Sequence, residues 1–152
     1  MKTLAEPRDK AEIARRLKTL TPESVGRWGR MSVHQMVCHL SDAFRILSGE
    51  KVASPATSPL QRTVVKWIAL RGPIRWPSGV PTRPEIDQLV GGTRPVAFAA
   101  DLADLEALLE LVTTHRELLQ GKSHPVFGRL SEGEWLRWGY LHMDHHLRQF
   151  GL

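Results

Sequence analysis

The sequence predicts an all-α fold: an up-down four-helix bundle with an extra short helix and a long connection rich in proline and glycine. Three observations lead to this prediction. Four segments repeat apolar residues at helical spacing, two of them open with a capping box, and no β-hairpin pattern is visible. The chain has 152 residues, of which 41% are hydrophobic and 24% charged. This size and composition indicate a single globular domain over residues 1–152 and exclude a disordered or fibrous protein.

The first two helices are predicted from apolar stripes and from their ends. The first runs from about Pro7 to Leu20 and stops before Pro22. The second opens with Ser32 and Gln35 in the spacing of a capping box, in which each side chain bonds the backbone N–H of the other residue. Gly49 supplies its stop, because glycine readily adopts the left-handed conformation that ends a helix.

A short helix over Pro59–Arg71 precedes the long connection Gly72–Pro95. Two interpretations of this connection stay open: a strap that joins distant helix ends, or a lid over a substrate. Its aromatic and cationic residues would suit a lid for an anionic ligand; they are Arg75, Trp76, Arg83 and Arg94.

The last two long helices are predicted over Asp101–Gln120 and from Ser131 to about Gly151. The first of them carries leucines at helical spacing. The second opens with a further capping box, formed by Ser131 and Glu134.

Two histidines on the last helix indicate a metal site. His142 and His146 are four residues apart and therefore lie about 40° apart on one face, which also carries Trp135 and Trp138. A face with two tryptophans is expected to point inward. Two imidazoles at this spacing can chelate one divalent cation.

A third ligand is predicted on the second helix, where His39 lies on the apolar stripe. Taken alone, His39 fits a hydrogen-bonded core histidine better than a ligand, and the pair His142/His146 could arise by chance. Together they favour a metal. Three histidine ligands leave coordination positions open, as catalytic sites do.

The remaining histidines and the single cysteine have simpler interpretations. His34 and His115 are expected to face water, and His124 to lie in a loop. His145 is expected at the edge of the metal face. Cys38 points about 100° away from His39 and is expected to be a small buried packing residue rather than a nucleophile or ligand.

The segments Trp28-x-x-Met-Ser-Val-His-Gln-Met-Val-Cys-His39-Leu and His142-x-x-x-His146-x-x-Gln149-Phe-Gly resemble the DinB-like, or YfiT-like, superfamily of small four-helix-bundle candidate metalloenzymes. The segment 124–128 and the ending His-His-Leu-Arg-Gln-Phe-Gly are similar to a subgroup of unknown function. The resemblance covers both ends of the chain but not its middle. It implies a divalent metal, zinc or nickel above all, held by His39, His142 and His146.

The resemblance also implies two chemistries. In one, a low-molecular-weight thiol cofactor attacks an electrophilic small molecule; in the other, water activated by the metal hydrolyses a small-molecule substrate. Four residues are candidates for orienting the ligands: Gln35, Asp42, His145 and Gln149. Asp144 is expected on the solvated surface. No catalytic side chain is assigned.

The sequence also allows other functions and partners. A non-catalytic metal-binding or stress-related helical bundle is the alternative. The net charge of +5 invites nucleic-acid binding, but the basic residues are scattered and no nucleic-acid motif accompanies them, so this partner is not expected. A homodimer through the apolar face of Val64, Val65 and Ile68 stays open. No membrane-spanning stretch, signal peptide or disulfide is expected, which favours the cytoplasm.

Overall fold

The computed structural model describes residues 1–73 and 75–152; Ile74, in the long connection, lies outside the described residues. The described chain is mostly helical, as predicted. Its α-helices are α1 (Pro7–Leu17), α2 (Val33–Ser48), α3 (Lys66–Arg71), α4 (Phe98–Thr114) and α5 (Glu132–Gln149). Its two short strands are β1 (Ser123–His124) and β2 (Gly128–Arg129), and its other helical turns are Gln61–Val65, Pro84–Ile86 and Arg116–Leu119.

The capping boxes fix the start of the two helices that carry the histidines. At α2, the Ser32 hydroxyl accepts from the Gln35 backbone N–H, and the Gln35 side chain accepts from the Ser32 N–H. At α5, Ser131 and Glu134 make the same pair of bonds. Gly49 ends α2 with a φ of 87°, as predicted.

Helix α4 differs from its prediction at both ends. It begins at Phe98, three residues before the predicted start at Asp101. The Asp101 carboxylate, in the second turn, accepts from the backbone N–H groups of Val96 and Ala97, and these bonds hold the chain that enters the helix. It ends at Thr114, where His115 leaves helical geometry, and a tighter 3₁₀ turn follows.

A small β-hairpin, which the sequence analysis did not predict, precedes α5. Strands β1 and β2 pair antiparallel, with His124 opposite Gly128. The turn is held by His124, whose Nδ1 accepts from the backbone N–H groups of Val126 and Phe127, both at 3.1 Å. Gly128 has a φ of 69°, a conformation that favours glycine. The segment His-Pro-Val-Phe-Gly contained this turn signal.

The helices share one core of buried apolar side chains. Helix α2 packs against α4 and α5, while α1 and α3 pack against α5. Asp144 on α5 is half-buried rather than solvated: its two oxygens accept from Arg16 and Arg148, each at 2.8 Å. Since Arg16 lies on α1, this pair joins the N-terminal and C-terminal helices.

No helix within the described residues combines the length and the apolar character that crossing a membrane requires. Three apolar side chains in the segment 64–68 are exposed, namely Val64, Val65 and Ile68, as the sequence analysis expected of a dimer-forming face. The dimer itself stays a prediction.

Candidate metal centre

Helices α2 and α5 bring His39, His142 and His146 together. Ligand-capable nitrogens of the three rings all lie within 4.8 Å of one another. The ring centroids are 4.8–5.0 Å apart, and the Nε2 atoms of His39 and His142 are separated by 3.1 Å. Nitrogens bound to one tetrahedral zinc ion lie roughly 3.3 Å apart, given bonds of about 2.0–2.1 Å. The His39–His142 pair thus lies close to the spacing of zinc ligands, and the other nitrogen pairs lie within 4.8 Å.

Hydrogen bonds leave the Nε2 atoms of two rings available as ligands. His39 Nδ1 lies 2.9 Å from the carbonyl oxygen of Ile86, which can only accept, so Nδ1 carries the proton. His146 Nδ1 lies 2.9 Å from Gln149 Oε1, which is likewise an acceptor. In both rings Nε2 is therefore unprotonated, and each ring is oriented by its Nδ1 partner as in protein metal sites. His39 Nε2 accepts from His142 Nε2 at 3.1 Å, a hydrogen bond that a cation would replace.

The environment keeps all three imidazoles neutral. Burial lowers the pKa of His39, and it lowers the pKa values of His142 and His146 well below the ordinary value. The neighbouring rings of the triad lower the last two pKa values further, because positive charges would repel one another. Neutral imidazole is the form that binds a metal. His39 and His146 are buried, whereas His142 keeps partial exposure and marks the accessible side of the site.

Gln149 connects His146 to the segment that precedes α2. Its Oε1 accepts from His146, and its Nε2 donates to the carbonyl oxygen of Trp28 at 2.8 Å. Gly29 follows with a φ of 79°, and a Cβ at this position would lie 2.6 Å from Gln149 Nε2. The amide of Gln149 thus bonds the His146 ring, and its role in orienting a metal ligand stays a prediction.

Asp42 lies close to the site but bonds other groups than the rings. Its carboxylate, which is fully buried, accepts from Lys51 Nζ at 2.8 Å, from Gln88 Nε2 at 3.1 Å, and from the backbone and hydroxyl of Thr93. Arg45 adds a longer contact at 3.3 Å. These bonds fasten the connection that contains Ile86 onto α2, so Asp42 supports His39 through the backbone rather than directly.

Gln35 contributes to helix capping instead of ring orientation. Its Oε1 accepts from the Ser32 N–H at 2.9 Å, and within the described residues no hydrogen bond joins it to a histidine. Gln35 lies one helical turn before His39, a position from which its amide could either bond the ring or cap the helix. In the structure the amide caps the helix.

His145 and two tryptophans surround the triad. The His145 ring packs edge-on against His146 with centroids 5.0 Å apart, and its buried Nδ1 has no hydrogen-bond partner among the described residues. Trp138 packs on His142 at 4.9 Å. The ring of Trp76, from the long connection, has its centroid 6.2 Å from the ring centroids of both His142 and His145. Its indole N–H donates to the carbonyl oxygen of Ala69. The connection therefore covers part of the site with Trp76 and Ile86.

Two other histidines differ from their predictions: His34 was expected to face water, and His124 was expected in a loop but belongs to strand β1. His34 is half-buried and pairs with Asp101 at 2.6 Å rather than facing water. His124 is buried against the rings of Phe127, Trp135 and Trp138, and burial lowers its pKa to about 3. His115 is exposed, as expected.

Cys38 is buried, as predicted. Burial and nearby carboxylates raise the pKa of its thiol to about 12, which makes it a poor nucleophile.

Comparison with known proteins gives a family but no described activity. No curated protein and no solved structure matches the chain at a significant level. A family profile matches residues 5–151, which is nearly the whole chain. The protein therefore belongs to the family described as "Protein of unknown function (DUF1569)".

Proposed function

We propose that the protein is a metal-dependent enzyme that acts on a small molecule at His39, His142 and His146. The reaction is transfer of a low-molecular-weight thiol or hydrolysis of the substrate. The convergence of three neutral imidazoles, two of which have Nε2 left unprotonated by their Nδ1 partners, is the observation that carries the proposal. The likeness of the two histidine segments to DinB-like four-helix bundles supports it.

The donor set suits a borderline cation such as zinc or nickel. Three imidazoles without a protein thiolate or carboxylate leave at least one coordination position for an exogenous ligand. When bound, the cation supplies a positive charge that favours the deprotonated form of a thiol or water and polarises a substrate oxygen.

The chain's own residues hold and shield this site. Ile86 and Gln149 fix the planes of the His39 and His146 rings. The rings of Trp76 and Trp138 pack beside His142, with centroids 6.2 and 4.9 Å from its ring, and give the site two apolar neighbours. Arg75 and Arg94 on the connection are exposed, and their charge favours the approach of an anionic thiol or carboxylate.

Metal content is the first test. Untagged protein is freed of metal with a chelator, dialysed against zinc or nickel, and measured by elemental analysis. We expect about one ion per triad, and loss of that ion in H39A, H142A and H146A, each checked for helicity by circular dichroism. His115→Ala is the matched control, since His115 is exposed and is not one of the three proposed ligands. Unchanged metal content in all three triad variants would refute the site.

Turnover is the second test. Loaded and metal-free protein are compared with monochlorobimane and a panel of bacterial thiols, and with activated esters. We expect a rate above the metal-free protein with at least one thiol or ester, lost in H142A and kept in H115A. Stoichiometric metal without turnover on either substrate class would overturn the enzyme and favour a non-catalytic metal-binding bundle.

A further inference from the structure

A second group of metal-ligating side chains lies between α2 and α4. His34, Cys38 and Asp101 each offer a ligand atom, and these atoms all lie within 4.8 Å of one another. His34 Nε2 is 2.6 Å from Asp101 Oδ2, and Cys38 Sγ is 3.9 Å from the same oxygen. His34 and Cys38 are four residues apart on one helix, the spacing that places two ligands on one face.

These residues do not belong to the three-histidine site. Cys38 and His39 are consecutive on α2, so their side chains leave the helix about 100° apart. His39 faces α5, whereas Cys38 and His34 face the first turns of α4. One helix thus carries ligand groups on two of its sides.

Helix capping explains only part of this arrangement. Asp101 Oδ2 accepts from the backbone N–H groups of Val96 and Ala97, which accounts for a carboxylate at this position. Capping does not account for a thiol and an imidazole beside it. The second oxygen, Oδ1, accepts no hydrogen bond from the described residues. It could therefore bind a cation while Oδ2 keeps its bonds to the backbone N–H groups of Val96 and Ala97.

We propose that His34, Cys38 and Asp101 form a second divalent-cation site, suited to zinc or cobalt and independent of the proposed enzymatic function. Imidazole, thiolate and carboxylate are the three side-chain ligand types of zinc, with bonds of about 2.0–2.3 Å. Binding replaces the hydrogen bond between His34 and Asp101 with one bond from each residue to the cation. The proton on His34 Nε2 moves through solvent to Nδ1, so the ring stays neutral, and the thiol proton of Cys38 is released to solvent. His34 and Asp101 keep about a quarter of their side chains exposed, which leaves a route for the ion and for water as the fourth ligand.

Cobalt spectroscopy separates this site from the triad. Thiolate coordination to Co²⁺ gives an intense near-ultraviolet charge-transfer band, and Cys38 is the one cysteine of the chain. Metal-free full-length protein is titrated with Co²⁺. We expect two ions per chain and a thiolate band, which persists in the H142A/H146A double variant with one ion per chain.

Substitutions in the second site give the reverse pattern. C38S, a change of nearly equal size, is expected to abolish the thiolate band and to retain one ion at the triad. H34A leaves the Asp101 cap intact and is expected to weaken the band, while H115A is the control with no effect. Absence of a thiolate band at saturating Co²⁺ in the folded wild-type protein would refute the proposal and leave His34 and Asp101 as a hydrogen-bonded pair. A band that is lost in H142A/H146A but not in H34A would equally overturn it, because Cys38 would then serve the triad.

Discussion

Replacing Gln149 with methionine tests whether the amide orients a metal ligand. Methionine has a similar volume and shape, so the buried site stays filled, but both amide bonds are lost. His146 Nδ1 loses its acceptor at 2.9 Å and the Trp28 carbonyl loses its donor at 2.8 Å. Gln149 is 3% exposed, so water cannot readily replace either partner.

The expected magnitude follows from these two orphaned groups. Leaving one buried polar group unsatisfied costs about 1–3 kcal/mol, so the free energy of unfolding of the metal-free protein should fall by roughly that amount or somewhat more. The His146 ring also becomes free to rotate or to change its protonated nitrogen. Losing a ligand's orienting partner typically lowers metal affinity by about 10–100-fold, which corresponds to roughly 1.4–2.8 kcal/mol.

The assay measures zinc affinity by competition with a chromophoric chelator, and stability by urea unfolding of the metal-free protein. The matched control is Gln35→Met on α2, where the amide caps the helix and bonds no histidine in the described part of the chain. This control loses one exposed hydrogen bond, worth about 0.5–1.5 kcal/mol of stability, and should keep its zinc affinity.

Equal zinc affinities for wild type and Q149M, within about twofold, would refute the inference that this amide fixes the ring. Equal losses of affinity in Q149M and Q35M would show that the effect comes from general destabilisation.

Three further outcomes follow from the same structure. Asp42→Asn should lower the free energy of unfolding by about 1–3 kcal/mol at pH 7, and the loss should shrink in acid. The folded-state pKa of Asp42 lies below its ordinary value of 3.8, so the stability it gives is complete above 3.8 and is lost as the pH falls through the folded-state pKa. Urea unfolding at pH 7 and pH 3 checks this, and equal losses at both would contradict it. Gly29→Ala should weaken zinc binding by displacing Gln149, whereas Gly79→Ala, with the same positive φ and open space around it, should lose only the roughly 1–2 kcal/mol of a left-handed residue. Unfolding and zinc titrations of the two variants should differ, and identical results would exclude the displacement. Because burial lowers the pKa of His124, its contribution to stability is complete above about pH 6.5 and is lost as the pH falls toward 3, by at most about 1.4 kcal/mol per pH unit. The variant H124N keeps a hydrogen-bond acceptor but cannot titrate, so the free energy of unfolding should depend less on pH. An unchanged slope would contradict this assignment.

The triad was predictable because its spacing is set by helical periodicity. Four residues separate His142 from His146, and both share a face with Trp138, so burial of that face brings the rings inward. His39 was predictable from the apolar stripe of α2. Sequence alone could not fix the facing register of the two helices, which depends on how the side chains of both pack.

The partners of the triad were less predictable because they lie far along the chain. Gln149 was within reach of the sequence argument, since it is one turn beyond His146. The carbonyl of Ile86 was not, because any residue has a carbonyl and the connection carries no periodic pattern. Asp42 has the right helical position for a bond to His39, but Lys51 and Thr93 compete for its carboxylate.

The same limit applies to residues expected on the surface. His34 and Asp144 were expected to face water because polar side chains usually do so when no partner is visible nearby in the sequence. Their burial comes from groups on other helices, Asp101 for His34 and Arg16 for Asp144. A pairing between helices leaves no spacing within one segment from which it could be predicted.

The character of the ring partners bears on the proposed chemistry. In many zinc sites a carboxylate accepts the second N–H of a histidine, which adds negative charge and raises the basicity of the ligand. Here the two resolved partners are a backbone carbonyl and a side-chain amide, both neutral. The three ligands and these two partners are neutral, so none of them would offset the positive charge of a bound divalent cation. Such a centre favours an anionic exogenous ligand more strongly than a carboxylate-supported one, and this preference suits a thiolate. Replacing Gln149 with glutamate would place a carboxylate beside His146 and should therefore weaken thiolate binding relative to Q149M, even where zinc is retained.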